Sequence, residues 1–119
     1  MPAFGGTTLY QEHYNNALHL FETGDMASCI SAAKTSLRDI SLSVYYKTKN
    51  YIIIAAAYDD WDNAEVWRLA AEQAYTTAFL DANQKDDPIS IRILEYFRKD
   101  LDELREFEEQ DMAATIAEF

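Results

Sequence analysis

The side chains with the clearest capacity for chemistry are carboxylates, and the densest group is Asp59-Asp60-Trp61-Asp62. Three aspartates at that spacing could hold a divalent cation. A calcium loop built on such a run needs Gly at its sixth position and a bidentate Glu at its twelfth. Counted from Asp60, those positions hold Glu65 and Ala71. An aspartate-rich magnesium site needs a second ligand helix and a cavity, more than a chain this short supplies. Capping the start of a helix explains these aspartates more simply. The two histidines, His13 and His19, fall about 120° apart on a helix and cannot chelate one ion together. His19 with Glu22 is a helical i, i+3 pair without further ligands. Cys29 lies on an apolar helical face, where a thiol is inert packing. No Gly-rich phosphate loop, nucleophile elbow or Cys-x-x-Cys pair is present, so no cofactor, metal or catalytic residue is implied. The later carboxylates, Glu95, Asp100, Asp102, Glu103, Glu106, Glu108 and Glu109, fall off the apolar stripe of their segment and read as a solvated face. Arg98, Lys99 and Arg105 supply their helical partners. A non-enzymatic protein is the expectation.

Composition bounds the partners. A net charge of −11 with no basic cluster disfavours nucleic acid and anionic membranes, which are bound through clustered Lys and Arg. A basic protein or peptide remains suitable, although acidity also serves solubility. The longest apolar run, Tyr51 to Tyr58, is far short of the roughly 20 residues that span a bilayer. A single cysteine forms no internal disulfide, and the first residues lack a basic and apolar leader pattern. The expected location is the cytoplasm or the nucleus.

At 119 residues, 49% hydrophobic, the chain suits one domain with its own core, residues 1–119. Three Gly and two Pro give too few turn signals for a many-stranded sheet, so the expected class is all-α. Residues 1–7 read as a flexible lead. Thr8 and Gln11 form a capping-box pattern opening a first helix, whose stripe is Leu9, Tyr10, Tyr14, Ala17, Leu18 and Phe21. Gly24-Asp25 ends it and caps a second helix, Met26 to Leu37. A third runs from near Ser41 to Tyr58, its second half apolar on all sides. Asp62 with Glu65 suggests the cap of a fourth helix, which reaches Ala82 with an alanine seam at Ala71, Ala74, Ala78 and Ala82. Asp87-Pro88 opens a fifth, striped by Ile93, Phe97, Leu101, Leu104 and Phe107. Residues 110–119 are weakly patterned and are expected to fray or dock separately. The plain expectation is a bundle of about five helices arranged as antiparallel hairpins.

Two stretches echo one another. Gly24 to Cys29 and Asp59 to Ala64 each place an acidic turn before a large apolar residue and then a small one, at an offset of 35 residues (24 to 59). Ala17 to Leu37 resembles the core of a tetratricopeptide repeat in several features. These are Ala17, the pair Leu20-Phe21, the Gly24-Asp25 turn, Cys29-Ile30, and Ala33, Ser36 and Leu37. The second unit lacks the turn glycine and has a longer second helix. The resemblance covers residues 9–79, about two units, with the last helix as a long C-terminal capping helix.

The resemblance implies a protein-interaction module in which the first helix of each unit lines a groove for a peptide. Carried over by position, the groove residues are Gln11, Tyr14, Asn15, Leu18, Tyr46, Lys49, Asn50 and Ile53. Members that clamp a terminal carboxylate use a set of Lys, Arg and Asn. Only Asn50 matches, and Tyr14 stands where a lysine is expected, so that activity is not carried over. If Tyr14, Leu18 and Ile53 are instead core, Lys49 and Asn50 are ordinary surface. Two other functions fit the residues. One is a self-assembling subunit, a homodimer for example, joined through the last helix; stripe spacings of 4, 4, 3 and 3 disfavour a long coiled coil. The other is a small-molecule pocket among the tyrosines.

Overall fold

A computed structural model describes the backbone of residues 5–118 and the side chains of residues 9–118. Five helices carry the chain: α1 (Gly5–Glu22), α2 (Met26–Leu37), α3 (Val44–Ala57), α4 (Trp61–Gln84) and α5 (Pro88–Ala117). No strand occurs among the described residues, and the all-α expectation holds.

Local chemistry sets most boundaries. Asp25, Ser43, Asp60 and Asp87 cap α2 to α5, each accepting a hydrogen bond from the backbone N–H three residues on. Each such cap contributes ~1 kcal/mol. Two turns share one closing motif. After α1, Gly24 adopts φ +88° and the Asp25 N–H reaches back to the Leu20 carbonyl at 2.9 Å. After α4, Asp86 adopts φ 51° and the Asp87 N–H reaches the Ala82 carbonyl at 3.0 Å. Both satisfy the free carbonyls at a helix end, but only the first uses glycine.

Three expectations are corrected. Residues 5–7, read as lead, are helical, and Thr8 lies inside α1 rather than capping it; no proline stands there to stop the helix. Residues 1–4 of the expected lead lie outside the described residues. Asp60, not Asp62, caps α4, because Asp60 alone precedes the first helical residue and holds both the backbone and side-chain nitrogens of Asn63. Glu65 is thereby free to pair with Arg68. Finally, the buried stripe of α5 runs Leu94, Phe97, Leu101 and Glu108, while Ile93 and Phe107 sit at its exposed edge. Residues 110–117 continue the helix.

Each helix packs on its neighbour in sequence; α1 also meets α3, and α3 meets α5, whereas α2 reaches α4 only through side chains, with Lys34 Nζ 5.2 Å from the Trp67 ring centre. The result is a stack with α3 at its centre and α1 and α5 on either side of it. Small residues permit the close approach. Ala17, Cys29, Ala33 and Ala57 form the first core with Ile53 and Ile54. Ala82, Leu94 and Phe97 form the second, packed by Ile52, Tyr75, Ala78 and Phe79. Full burial of a side chain such as Ile54 stabilises by ~1.5–3 kcal/mol. Beyond this second core, a polar seam continues the contact between α4 and α5: Arg98 donates to both Glu72 oxygens at 2.7 Å and to Asp102 at 2.8 Å.

Candidate interaction face

The side of the stack shared by α1, α3 and α5 gathers the tyrosines. The Ser43 cap starts α3 so that Tyr45 and Tyr46, about 100° apart around that helix, lean toward different neighbours. Tyr46 turns toward α1: its ring lies 6.0 Å from Tyr10, and its hydroxyl donates to Gln11 Oε1 at 3.0 Å. Gln11 in turn donates to Asn15 Oδ1 at 2.8 Å, which fixes both amides along α1. Tyr45 turns toward α5 and lies 5.3 Å from Phe97. Tyr45 and Tyr46 meet edge to face at 4.9 Å and 89°. An unbroken aromatic row, Tyr10, Tyr46, Tyr45 and Phe97, therefore crosses three helices.

Lys49, one turn on, carries the positive charge of this face. Its Nζ sits 4.2 Å from the Tyr14 ring centre, 5.2 Å from Tyr45 and 6.0 Å from Tyr46. Such placement is worth ~0.5–2 kcal/mol and holds the ammonium in place. Asp100 of α5 feels the same charge. Its carboxyl is held above the ordinary range mainly by desolvation and then by Glu103, with Lys99 and Lys49 opposing. Burial, then Asp100, pushes the Tyr14 hydroxyl up, and burial followed by Tyr45 does the same to Tyr46. Both phenols stay protonated at neutral pH, and that of Tyr46 donates to Gln11.

The eight residues expected to line a groove divide sharply. Gln11, Tyr14, Asn15 and Lys49 belong to this face and are linked to one another directly or through Tyr46. Leu18 packs against the first core. Tyr46 is buried but keeps its hydroxyl in the network. Asn50 and Ile53, only 2% and 5% exposed, are interior rather than groove-lining. They fall on the side of α3 that turns inward beside Ile54. Asn50 Nδ2 donates to the Tyr46 carbonyl at 2.8 Å, and its Oδ1 has no partner.

Sequence reasoning missed Tyr45 and the cavity it borders. Where the start of α3 meets the α4–α5 turn, a cavity of about 510 Å³ opens to solvent. Ala78, Ala82, Leu94 and Phe97 form its apolar floor, and Asp81, Lys85 and Asp87 stand at its polar edge. Val44, Tyr45 and Ile93, each more than one third exposed, border it as well. The tandem Tyr45-Tyr46 with Lys49 was the available signal, since one helical turn brings the ammonium back over both rings. A smaller polar cleft of about 330 Å³ lies between α1 and α2, lined by Tyr10, His13, Ser36 and Asp39 among others. Its His13, Ser36 and Asp39 are not hydrogen-bonded to one another. Among the described residues no group of three or more His, Cys, Asp or Glu could hold a metal ion, and no helix is long and apolar enough to cross a membrane.

No family model, curated protein or solved structure matches this chain.

Proposed function

We propose that the protein is an interaction module that takes a short segment of a protein partner on the α1–α3–α5 face. One large apolar side chain of that segment enters the cavity beside Tyr45. The carrying observation is the junction of an apolar-floored cavity with an aromatic row, bordered by the exposed Val44, Tyr45 and Ile93. A cavity of this size, mainly apolar with a few polar groups at its edge, suits a Leu, Met or aromatic anchor. The net charge of −11, with Asp81 and Asp87 at the edge, favours a segment with Lys or Arg beside the anchor. Gln11, Asn15 and the caged Lys49 offer donors and acceptors for its backbone. One anchor contributes ~1.5–3 kcal/mol, well short of the ~8 kcal/mol behind a micromolar Kd, so the backbone and basic contacts carry much of the affinity and binding is weak and reversible. The stacking of α3 on both α1 and α5 supports reading the chain as a two-unit tetratricopeptide-like array with α5 as its cap.

Selection from a displayed peptide library tests this, run beside a Val44→Glu, Ile93→Glu variant whose two positions are too exposed to hold the fold. Wild type should enrich peptides sharing one large apolar residue flanked by basic ones, and the variant should lose them while melting like wild type. Unchanged selection by the variant would remove the cavity from the function. A second reading, self-association through α5, is favoured by Ile89, Tyr96 and Phe107, each 65% exposed or more. Sedimentation over a concentration series separates the two, because only self-association raises the mass without added peptide.

A further inference from the structure

The first turns of α4 and the last turns of α5 meet through acid rather than through oil. Glu108 of α5 is 7% exposed, in the line of Leu94, Phe97 and Leu101 where the helical spacing calls for an apolar residue. Arg68 Nε lies 3.3 Å from Glu108 Oε2, but its N–H is given to Glu65 at 2.9 Å, so neither Glu108 oxygen receives a hydrogen bond. Four carboxyls (Glu65, Glu72, Asp102, Glu108) share three guanidiniums (Arg68, Arg98, Arg105) along this seam. Arg98 is committed to Glu72 and Asp102, and Arg105 to Asp102. The other groups facing Glu108 add no cation. Tyr58 and Asp59, from the α3–α4 connection, and Asp111, one turn on in α5, line the small cavity beside it. One negative charge too many is buried here, and a buried, unpaired carboxylate is costly.

We propose that this cluster is a proton-operated latch: a proton held by Glu108 and shared with Glu65 fastens the last turns of α5 to α4, and its loss loosens them. The proton supplies the hydrogen bond that the ionised pair lacks, from the Glu108 carboxyl to the Glu65 carboxylate, and removes the surplus charge. Burial first, and then Glu65, push the Glu108 carboxyl up to about 7, against the pull of Arg68. Glu65 is held below its usual range, chiefly by its hydrogen bond from Arg68, and stays ionised as the acceptor. Undocked, Glu108 returns to its ordinary value of 4.5. The docked state therefore holds the proton, and the undocked state does not, between those two values. Docking weakens about tenfold per pH unit as pH rises through this window, then levels off above the upper value. Little else restrains this end of α5, where residues 113–118 are exposed on every turn.

Amide hydrogen exchange of residues 104–117 in the full-length protein, corrected for intrinsic rates, reads the latch. In wild type the opening constant should rise on the order of a hundredfold from pH 5 to pH 7 and then flatten. Glu108→Gln, whose amide donates to Glu65 without titrating, should keep its protection across that range. Glu65→Gln removes the neighbouring charge and should move the transition to lower pH. Carbon-detected NMR of the Glu108 carboxyl gives the titration directly and does not depend on any variant folding. A carboxyl that titrates in the ordinary glutamate range would overturn the proposal. So would a pH slope in the α5 amides that survives in Glu108→Gln.

Discussion

Replacing Asn50 by Leu should stabilise the protein, although the position reads from sequence as part of a binding groove. The side chain is 2% exposed, its Oδ1 has no partner, and its Nδ2 donates to the Tyr46 carbonyl inside the same helix. A buried acceptor without a donor costs ~1–3 kcal/mol, and the bond lost from Nδ2 is worth ~1 kcal/mol. Leucine branches at the same carbon and gains ~1.5 kcal/mol from buried apolar area. It is bulkier, and tight packing beside Ile53 and Ile54 takes back ~1 kcal/mol. The balance is a gain of ~1–2 kcal/mol, or about 5–10 °C in melting temperature for a domain of this size. Urea unfolding followed by circular dichroism measures it, together with Asn50→Asp. The aspartate buries a charge and should lose about 3 kcal/mol or more. If leucine instead costs more than about 1 kcal/mol with the fold intact, Asn50 Oδ1 has a partner such as bound water, and the burial argument fails.

Four further expectations follow from other parts of the molecule. Arg98→Met should cost about 2 kcal/mol at pH 7, since it frees Glu72 from a two-pronged hydrogen bond. Glu72 is held below its ordinary 4.5, mainly by Arg98, so the deficit is full above that value and shrinks as pH falls through the lowered one; urea melts at pH 7 and pH 3 compare the two. At the paired turns the signs oppose. Gly24→Ala should lose ~1–2 kcal/mol from backbone strain alone, because nothing lies within 4 Å of the added carbon, whereas Asp86→Gly should gain ~0.5–1 kcal/mol by thermal melting. Lys49→Met should cost ~1 kcal/mol by removing the ammonium from the Tyr14 ring, and should weaken any peptide selected by the wild type. Cys29, fully buried and with its thiol pushed up by burial and then by Asp25, should react with a thiol reagent only at the rate of unfolding.

The helices were legible because their caps and stripes are local. Asp25 and Asp87 act within three residues, whereas sequence reasoning missed the Ser43 cap and expects α3 to start near Ser41; the small residues along α2 and α4 mark their inward sides. The α5 stripe was displaced by one position for a physical reason. Ile93 and Phe107 look like core by type, whereas the buried position belongs to Glu108, a residue that pattern reading assigns to water. Half of the expected groove shares one face because α1 and α3 do stack. The other half failed at Asn50 and Ile53, where the inward side of α3 is set by how α1 and α2 wrap it, and helical spacing alone does not reveal that. The cavity was invisible for a similar reason. It arises where the start of α3 meets the α4–α5 turn, two places more than thirty residues apart that no local signal connects.

The backbone packing joins only helices one or two places apart in the chain. The loops that must close during folding are short. Low contact order of this kind belongs to folding times of microseconds to milliseconds. It also lets the α1–α2 hairpin form while the rest of the chain is still being synthesised. A disturbance at Glu108 reaches α1 chiefly through α3, so heating or acid should melt the two ends at different points when the centre is weakened. Breaking the packing at Ile54 should turn one transition into two.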